Sequence, residues 1–501
     1  MNEQNAYNLI DEPWIPVLMQ DGRNKMVSLG EVFADEDGQI ADLALNPYER
    51  VAVFRLLLCI AQAALGPERL KDEAAWLASK SVIGPVATDY LKKWHDRFFL
   101  YGVHAFLQPD DVATVRVDAL TPCDKLVFHL ASGNNSTLFD HAANGAGNRV
   151  LSDEKLALGL LTYQNFSSGG LSGVCIWSGT ATDRSIKGAP CRESSMLFSI
   201  LLGDDLLEAV WLNLLTAKSV LDSLSSKWGA PAWEFENLSR SSAAELANTF
   251  IGHLVPLSRA VKLTRGCPLC VLGGGVVYPD LSEWREPMAS VKLKKDGGSC
   301  YVSSDPARMP WRELASVLAV RENAGRKAAL ALKHLESLAE EKEFDLWTGG
   351  LYAEKAKEIN AIEWKARLSV SLLEESAMQK YENAIECADK QRACLYFATA
   401  EYAQKMKSAL EEKKVKTEQI EPYSIPAERI YWDILAKPEN QKQVLSVDSP
   451  TYMDDWKTAT RKAAEEAYCR ACPAVTARQM EAYAQGFSKL HVKEDKYERN
   501  N

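Results

Sequence analysis

No stretch of about 18 uninterrupted apolar residues occurs in this sequence, so no membrane span is expected. The best candidate, Val51 to Leu65, is broken by Arg55 and Gln62. The opening MNEQNAYNLIDEP has neither a basic n-region nor an apolar h-region. No signal peptide is therefore expected, and the reading is of a cytoplasmic protein. The P-loop, HExxH and GxSxG signatures are missing, which removes the common nucleotide-hydrolysing, zinc-protease and serine-hydrolase chemistries. The seven histidines are scattered, none within two residues of another, so there is no paired-histidine metal site of the nuclease kind. Tandem repeats of period 20 to 50 and low-complexity tracts are absent as well. Nothing in the motif inventory argues for an enzyme.

What is present is ordinary globular material in quantity. The chain has 501 residues, 47% hydrophobic and 25% charged, too long for one ordinary core and too apolar for disorder. The formal net charge is -10. A negative total confines any nucleic-acid contact to local basic patches. The excess acid lies in residues 1–365, while the remainder is nearly balanced.

Eleven cysteines is an odd number, and Cys59, Cys387 and Cys394 sit singly in apolar or helical surroundings, as reduced hydrophobes do. Two pairs have CxxC spacing. Cys469 and Cys472 fall inside the helical pattern EEAYCRACPAV, where the spacing is accidental. Cys267 and Cys270, in TRGCPLCVLGGG, have the Pro and Gly of a turn and form half of a zinc knuckle. Four ligands are normal for structural zinc and no second pair follows, so a structural zinc stands open against a metal-free turn. A redox role fits less well, because no strand-to-helix context surrounds the pair.

The segment NLIDEPWIPVLMQDGRNKMVSLGEVF reads as a β-hairpin turning at Asp21-Gly22. Tyr48 to Leu65 reads as an apolar helix ending at Gly66-Pro67, followed by polar helix to about Phe99. Residues 131–190 are irregular, interrupted by a helix capped at Ser152 with Asp153 and Glu154 in its first turn. SSMLFSILLGDDLLEAVWLNLL reads as buried helix. Residues 271–305 read as strands with a hairpin turn at Asp296-Gly297-Gly298. Pro310 opens a helix, ENAGRKAALALKHLESLAEE continues the helical pattern, and Gly349-Gly350 breaks it before a Lys/Glu-rich linker. From about Ile362, apolar residues such as Leu368, Leu372, Leu373 and Met378 recur at helical spacing. Pro422, Pro426, Pro438 and Pro450 divide this region into about four helices. The expected fold class is α+β. A mixed α/β N-terminal domain with irregular loops (1–361) precedes a C-terminal antiparallel four-helix bundle (362–501).

Candidate binding features are few. Gly169-Gly170-Leu171-Ser172-Gly173 can cradle phosphate through backbone N–H groups, although ordinary glycine turns are far commoner. His141 beside Asp140 reads as a solvated polar loop. Basic groups stand at Lys292, Lys294 and Lys295, at Arg326-Lys327, at Lys413, Lys414 and Lys416, and at Lys457, Arg461 and Lys462 beside Trp456. Each alone is a solvated face; several converging on one cleft make a groove that tracks a nucleic-acid backbone.

Taken in order, NLIDEPWIPV, ASGNNSTLFDHA, the SSGGLSG loop, a CxxC and a C-terminal bundle resemble the large subunit (CasA family) of the type I-E CRISPR Cascade complex. The resemblance implies a non-catalytic subunit that reads the short protospacer-adjacent motif in double-stranded DNA, begins duplex opening for R-loop formation and helps recruit a helicase-nuclease. It implies the other Cascade subunits and the 5′ end of the CRISPR RNA as partners, and no membrane. By position, Gly169, Gly170 and Gly173 match the glycine loop that approaches the DNA. Asn134, Asn135, Leu138 and Phe139 match the loop contacting the guide RNA. Glu354 and Lys355 stand where a glutamine wedge is expected, and Arg265, then Lys262, are nearest to the expected basic finger. The cysteine cluster is reduced to Cys267 and Cys270. Two rival readings are a helical adaptor that binds only protein, and a zinc-dependent hydrolase with Cys267, Cys270 and His141 as ligands.

Overall fold

Alternating apolar residues build the first sheet. Ile15–Met19 lies between Asn24–Val27 and Ile40–Leu43, all antiparallel, with Ile15 opposite Val27 and Leu18 opposite Asn24. The hairpin turns at Asp21-Gly22 as expected. Ser28 then starts the short helix Leu29–Phe33 through a capping box with Glu31, satisfying two otherwise orphaned backbone donors. The computed structural model describes residues 7–490 apart from 117–118, 131–148, 237, 295, 322–324, 339–341, 356 and 408–414. The chain divides into two compact units, Met1–Arg367 and Leu368–Asn501.

The first unit is organised around the helix Pro47–Arg69, buried along nearly its whole length and kinked at Gly66, which leaves helical geometry just before Pro67. Its length and apolarity would suffice to cross a bilayer, but 72% of that stretch is buried inside the protein. Its two polar interruptions face protein partners. Arg55 pairs with Glu286, and Gln62 exchanges hydrogen bonds with the backbone of Leu215. It is a core helix.

Several segments differ from the sequence expectation. Phe198–Leu202, read as helix, is a buried strand paired antiparallel with the long strand Glu343–Glu354, Phe198 opposite Gly349. Glu343–Glu354 and its neighbour Lys357–Ser369 replace the expected helix break and linker. Ile362 and Leu368, read as the start of helix, belong to the second of these strands. Gly349 and Gly350 do not break structure here. A Cβ on Gly350 would lie 2.3 Å from Ser304 Oγ and 2.6 Å from the Met196 carbonyl, so the pair marks close packing within a strand. In the segment read as continued helix, 322–341, the described helical residues are the 3₁₀ turn Leu330–Glu336.

Two further small sheets frame the irregular middle of the unit. Leu269–Gly274 lies between Arg259–Lys262 and Thr121–Pro122, and Cys175–Trp177 lies between Ala113–Thr114 and Thr180–Ala181. The expected hairpin at Asp296-Gly297-Gly298 joins Val291–Leu293 to Ser299–Tyr301.

The second unit is helical: Glu375–Met406, Thr417–Leu435, the short Pro438–Leu445, Tyr452–Ala471 and Ala477–Ser488. Pro422 and Pro426 lie inside a helix rather than ending one, while Pro438 takes the first-turn position that suits its missing N–H. Its core is aromatic, and the polar tips are satisfied. Tyr402 donates to the Pro473 carbonyl at 2.7 Å, Tyr431 to that of Ala388 at 2.8 Å, and Trp456 to that of Ala384 at 2.7 Å. Trp456 is thus a core anchor, unavailable to the basic residues that follow it.

Candidate nucleic-acid interface

The glycine segment leaves the end of the helix Asp153–Phe166 and is zipped against residues 184–189. Gly170 stands opposite Ile186 and Leu171 opposite Ser185. Ser172 N–H donates to the Arg184 carbonyl at 2.8 Å, and Ala189 N–H to that of Ser167 at 2.9 Å. The three glycines have different reasons to be glycine. An added Cβ at Gly169 would lie 2.7 Å from Gly188 N, and one at Gly173 would lie 2.4 Å from the Leu272 carbonyl. Gly170 has open space around it but φ of +117°, which L-residues rarely adopt. Beside it, Leu171 is 77% exposed.

Lys355, exposed and at φ +55°, stands at the turn between the two long strands, with Glu354 before it. Tyr352 OH donates to the Glu354 carboxylate at 3.1 Å. The tip is fastened from below. Ala353 N–H donates to Ser195 Oγ at 3.0 Å, and that hydroxyl donates back to the Ala353 carbonyl at 3.2 Å. Arg192, whose side chain is only 7% exposed, pairs with Glu358 at 2.6 Å. It also donates to the carbonyls of Phe166 at 3.2 Å and Lys355 at 3.4 Å. One guanidinium therefore ties the end of the glycine-loop helix to the turn of the hairpin. Arg259, also buried, donates to the Ser168 carbonyl at 2.6 Å and the Lys187 carbonyl at 3.2 Å, fixing both sides of the glycine zip.

These elements converge on a cleft of about 600 Å³ lined by Gly169, Lys187, Arg192, Ser195, Tyr278 and Lys355, among others. Two acids share its wall. Burial pushes the Glu193 carboxyl above the ordinary range, against the pull of the Leu281 N–H. Hydrogen bonds from Ser282 hold Asp280 below it. Sequence reasoning had no means of finding Arg192, Lys187, Arg259 or Ser195. They lie in irregular or short strand segments, and only tertiary pairing brings them together.

The other expected residues stand elsewhere. Arg265 is paired with Asp153 at 2.9 Å. Lys262 donates to the carbonyls of Gly102 at 2.9 Å and Val103 at 3.4 Å, and burial pulls its ammonium below the ordinary range. Neither lines the cleft. Asn134, Asn135, Leu138, Phe139 and His141 lie outside the described residues, as do Lys295, Lys413 and Lys414.

Cys267 and Cys270 gain Cys123 as a neighbour. The Cys123 thiol donates to the Cys267 carbonyl at 3.7 Å and accepts from Cys270. That relay holds the Cys123 thiol below its ordinary range and, with burial, pushes Cys270 well above it. Structural zinc wants thiolates, whereas here the Cys270 thiol donates to Cys123 and the Cys123 thiol to a carbonyl. Among the described residues no group of three or more His, Cys, Asp or Glu side chains is arranged to hold a metal ion. Among the described residues, the three thiols fall short of the four ligands that a structural zinc site needs.

Replacing the arginine that fastens the hairpin has a measurable cost. Arg192→Ala leaves the Glu358 carboxylate without its partner and the hairpin turn unfastened, a loss of about 2 kcal/mol in unfolding free energy. Trypsin should then cut faster after Lys355 and Lys357. Arg192→Lys should not rescue, because an ammonium cannot reproduce the fork that spans three acceptors. Tryptic cleavage at these lysines unchanged in Arg192→Ala would refute the clamp.

Comparison with known proteins agrees with this architecture. The sequence profile of the CRISPR-associated protein Cse1 family matches residues 8–467. The CRISPR-associated protein CasA/Cse1 of Thermus thermophilus is 31% identical, the match covering 97% of each chain. A crystal structure of Thermus thermophilus CasA superposes with a TM-score of 0.76 at 26% identity, over 97% of this chain and 98% of that one. A chain from a structure described as a CRISPR RNA-guided surveillance complex shares the fold, with a TM-score of 0.75 at 16% identity over 97% and 99% of the two chains. With the family profile spanning most of the sequence and the curated relative nearly all of it, the chain belongs to the CasA/Cse1 family of CRISPR-associated proteins.

Proposed function

We propose that this chain is the large subunit of an RNA-guided CRISPR surveillance complex, and that its glycine-loop cleft receives the short duplex motif flanking the target. The observation that carries the reading is the convergence of Gly169 and Lys355, from segments almost 200 residues apart in sequence, on one cleft. A backbone without Cβ atoms approaches base edges closely, and a basic hairpin tip beside it is placed to part the first base pairs. Minor-groove readout is degenerate, so a tolerant motif preference is expected.

In this reading the chain is not an enzyme. The guide RNA reads sequence, the loop around Asn134, Asn135, Leu138 and Phe139 meets the 5′ end of the guide, and strand cleavage belongs to a recruited helicase-nuclease. The helical unit contacts neighbouring subunits. Support comes from family membership and from the shared fold of a chain in a surveillance complex.

A gel-shift titration of the reconstituted complex, with and without this chain, tests the reading. Target duplexes with randomised flanking bases should bind only when the chain is present, and the bound fraction should be enriched for particular flanks at fixed salt. Binding indifferent to both the chain and the flank would overturn the reading and favour a protein-only adaptor.

A further inference from the structure

We infer that Lys187 is the phosphate-contacting cation of the glycine-loop cleft, a binding residue for the backbone of the flanking duplex. The inference rests on the proposed reading of the cleft and names the group that meets DNA there.

Lys187 lies on the strand side of the glycine zip, and a Cβ at Gly169 would come within 3.2 Å of the Lys187 carbonyl carbon, so the two residues share one wall. The main chain at this point is fixed rather than loose. The buried Arg259 holds the carbonyls of both Ser168 and Lys187, which gives the lysine a defined starting position. Its side chain is 58% exposed, and its ammonium stands 3.6 Å from Asp280, itself half-exposed. A pair this open and this long contributes little, so a phosphate can replace the carboxylate at small cost. Finally, the two cations nearest to the expected basic finger are held away from the cleft, Arg265 by Asp153 and Lys262 by two carbonyls.

Phosphate is favoured over a base edge as the acceptor. An ammonium on a four-carbon stem is a point charge without the fork that reads guanine. Lys355 lines the same cleft and adds a second cation for a backbone segment entering it.

The test uses the complete reconstituted complex and duplexes carrying preferred and disfavoured flanks, titrated from about 50 to 200 mM salt. Lys187→Ala should weaken binding about five-fold for every flank alike and reduce the slope of log K against log salt by about one. Lys187→Arg should restore the slope, because charge rather than shape is what the contact uses. An unchanged affinity and slope in Lys187→Ala would overturn the inference. So would a changed flank preference without a changed slope, which would make Lys187 a base reader. Failure of the underlying reading looks different: the complex with the wild-type chain would then show no dependence on the flank at all.

Discussion

Gly170→Asp in the reconstituted complex is expected to weaken binding of the flanked duplex by about 100-fold, through one backbone cost and one charge cost of similar size. At φ +117° an L-residue is strained by about 1–3 kcal/mol, so the loop must leave its shape or be driven back into it on binding. In the proposed reading the added carboxylate also meets the approaching phosphate backbone with like charge. The two costs separate cleanly. Gly170→Ala bears the strain alone and should lose about ten-fold. The ratio between the Asp and Ala variants should shrink as salt rises, because only the charge is screened. Open space surrounds the new Cβ, so both variants should keep the wild-type fold by circular dichroism. Equal affinity of Gly170→Asp and wild type would remove the glycine loop from the DNA-reading surface.

The sequence made local features legible where a short-range signal decided them. Asp21-Gly22 and Asp296-Gly297-Gly298 each set a hairpin, and the helical spacing after Met378, with Pro438 opening a helix, set the helical unit, whereas Pro422 and Pro426 misled. It misled where packing decided. Phe198–Leu202 is a continuous apolar run, compatible with helix or strand, and its pairing with residues 345–349 settles the choice. Gly349-Gly350 and the charged residues after it imitate a break and a linker, yet the glycines make room for Ser304 and the Met196 carbonyl. The candidate site divides in the same way. Gly169, Gly170 and Gly173 stand out in sequence because glycine clusters do. Arg192 and Arg259 do not, since a buried arginine reaching for distant carbonyls leaves no periodic trace.

Glu286→Ala is expected to be the most destabilising single change, by about 3–5 kcal/mol, because it strands a buried cation. Arg55 projects from the core helix with no exposed surface, and Glu286 meets it at 2.6 Å. Arg55 otherwise donates to the carbonyls of Leu254 at 3.1 Å and His253 at 2.7 Å, which cannot neutralise a full charge. His253 joins the same cluster. It stacks on Trp284 at 4.7 Å and stands 3.9 Å from the second Glu286 oxygen. Burial pushes its pKa down to about 4, Glu286 opposes that shift and Arg55 adds to it. The sign for stability follows. Between the ordinary histidine value near 6.5 and about 4, the unfolded chain binds a proton that the folded chain refuses. Stability is therefore intact above pH 6.5 and falls by about 3 kcal/mol as pH drops to 4, then levels off. Urea titrations at about pH 7.5 and about pH 5 should show about 2 kcal/mol of this loss in wild type, and His253→Phe, which keeps a ring over Trp284, should abolish it. In Glu286→Ala the attraction holding the His253 pKa up is gone, so the acid loss should extend below pH 4. A Glu286→Ala protein as stable as wild type would show that Arg55 is compensated elsewhere. The cluster also adjoins the cleft: Tyr278, which lines it, stands edge-on to His253 at 5.2 Å.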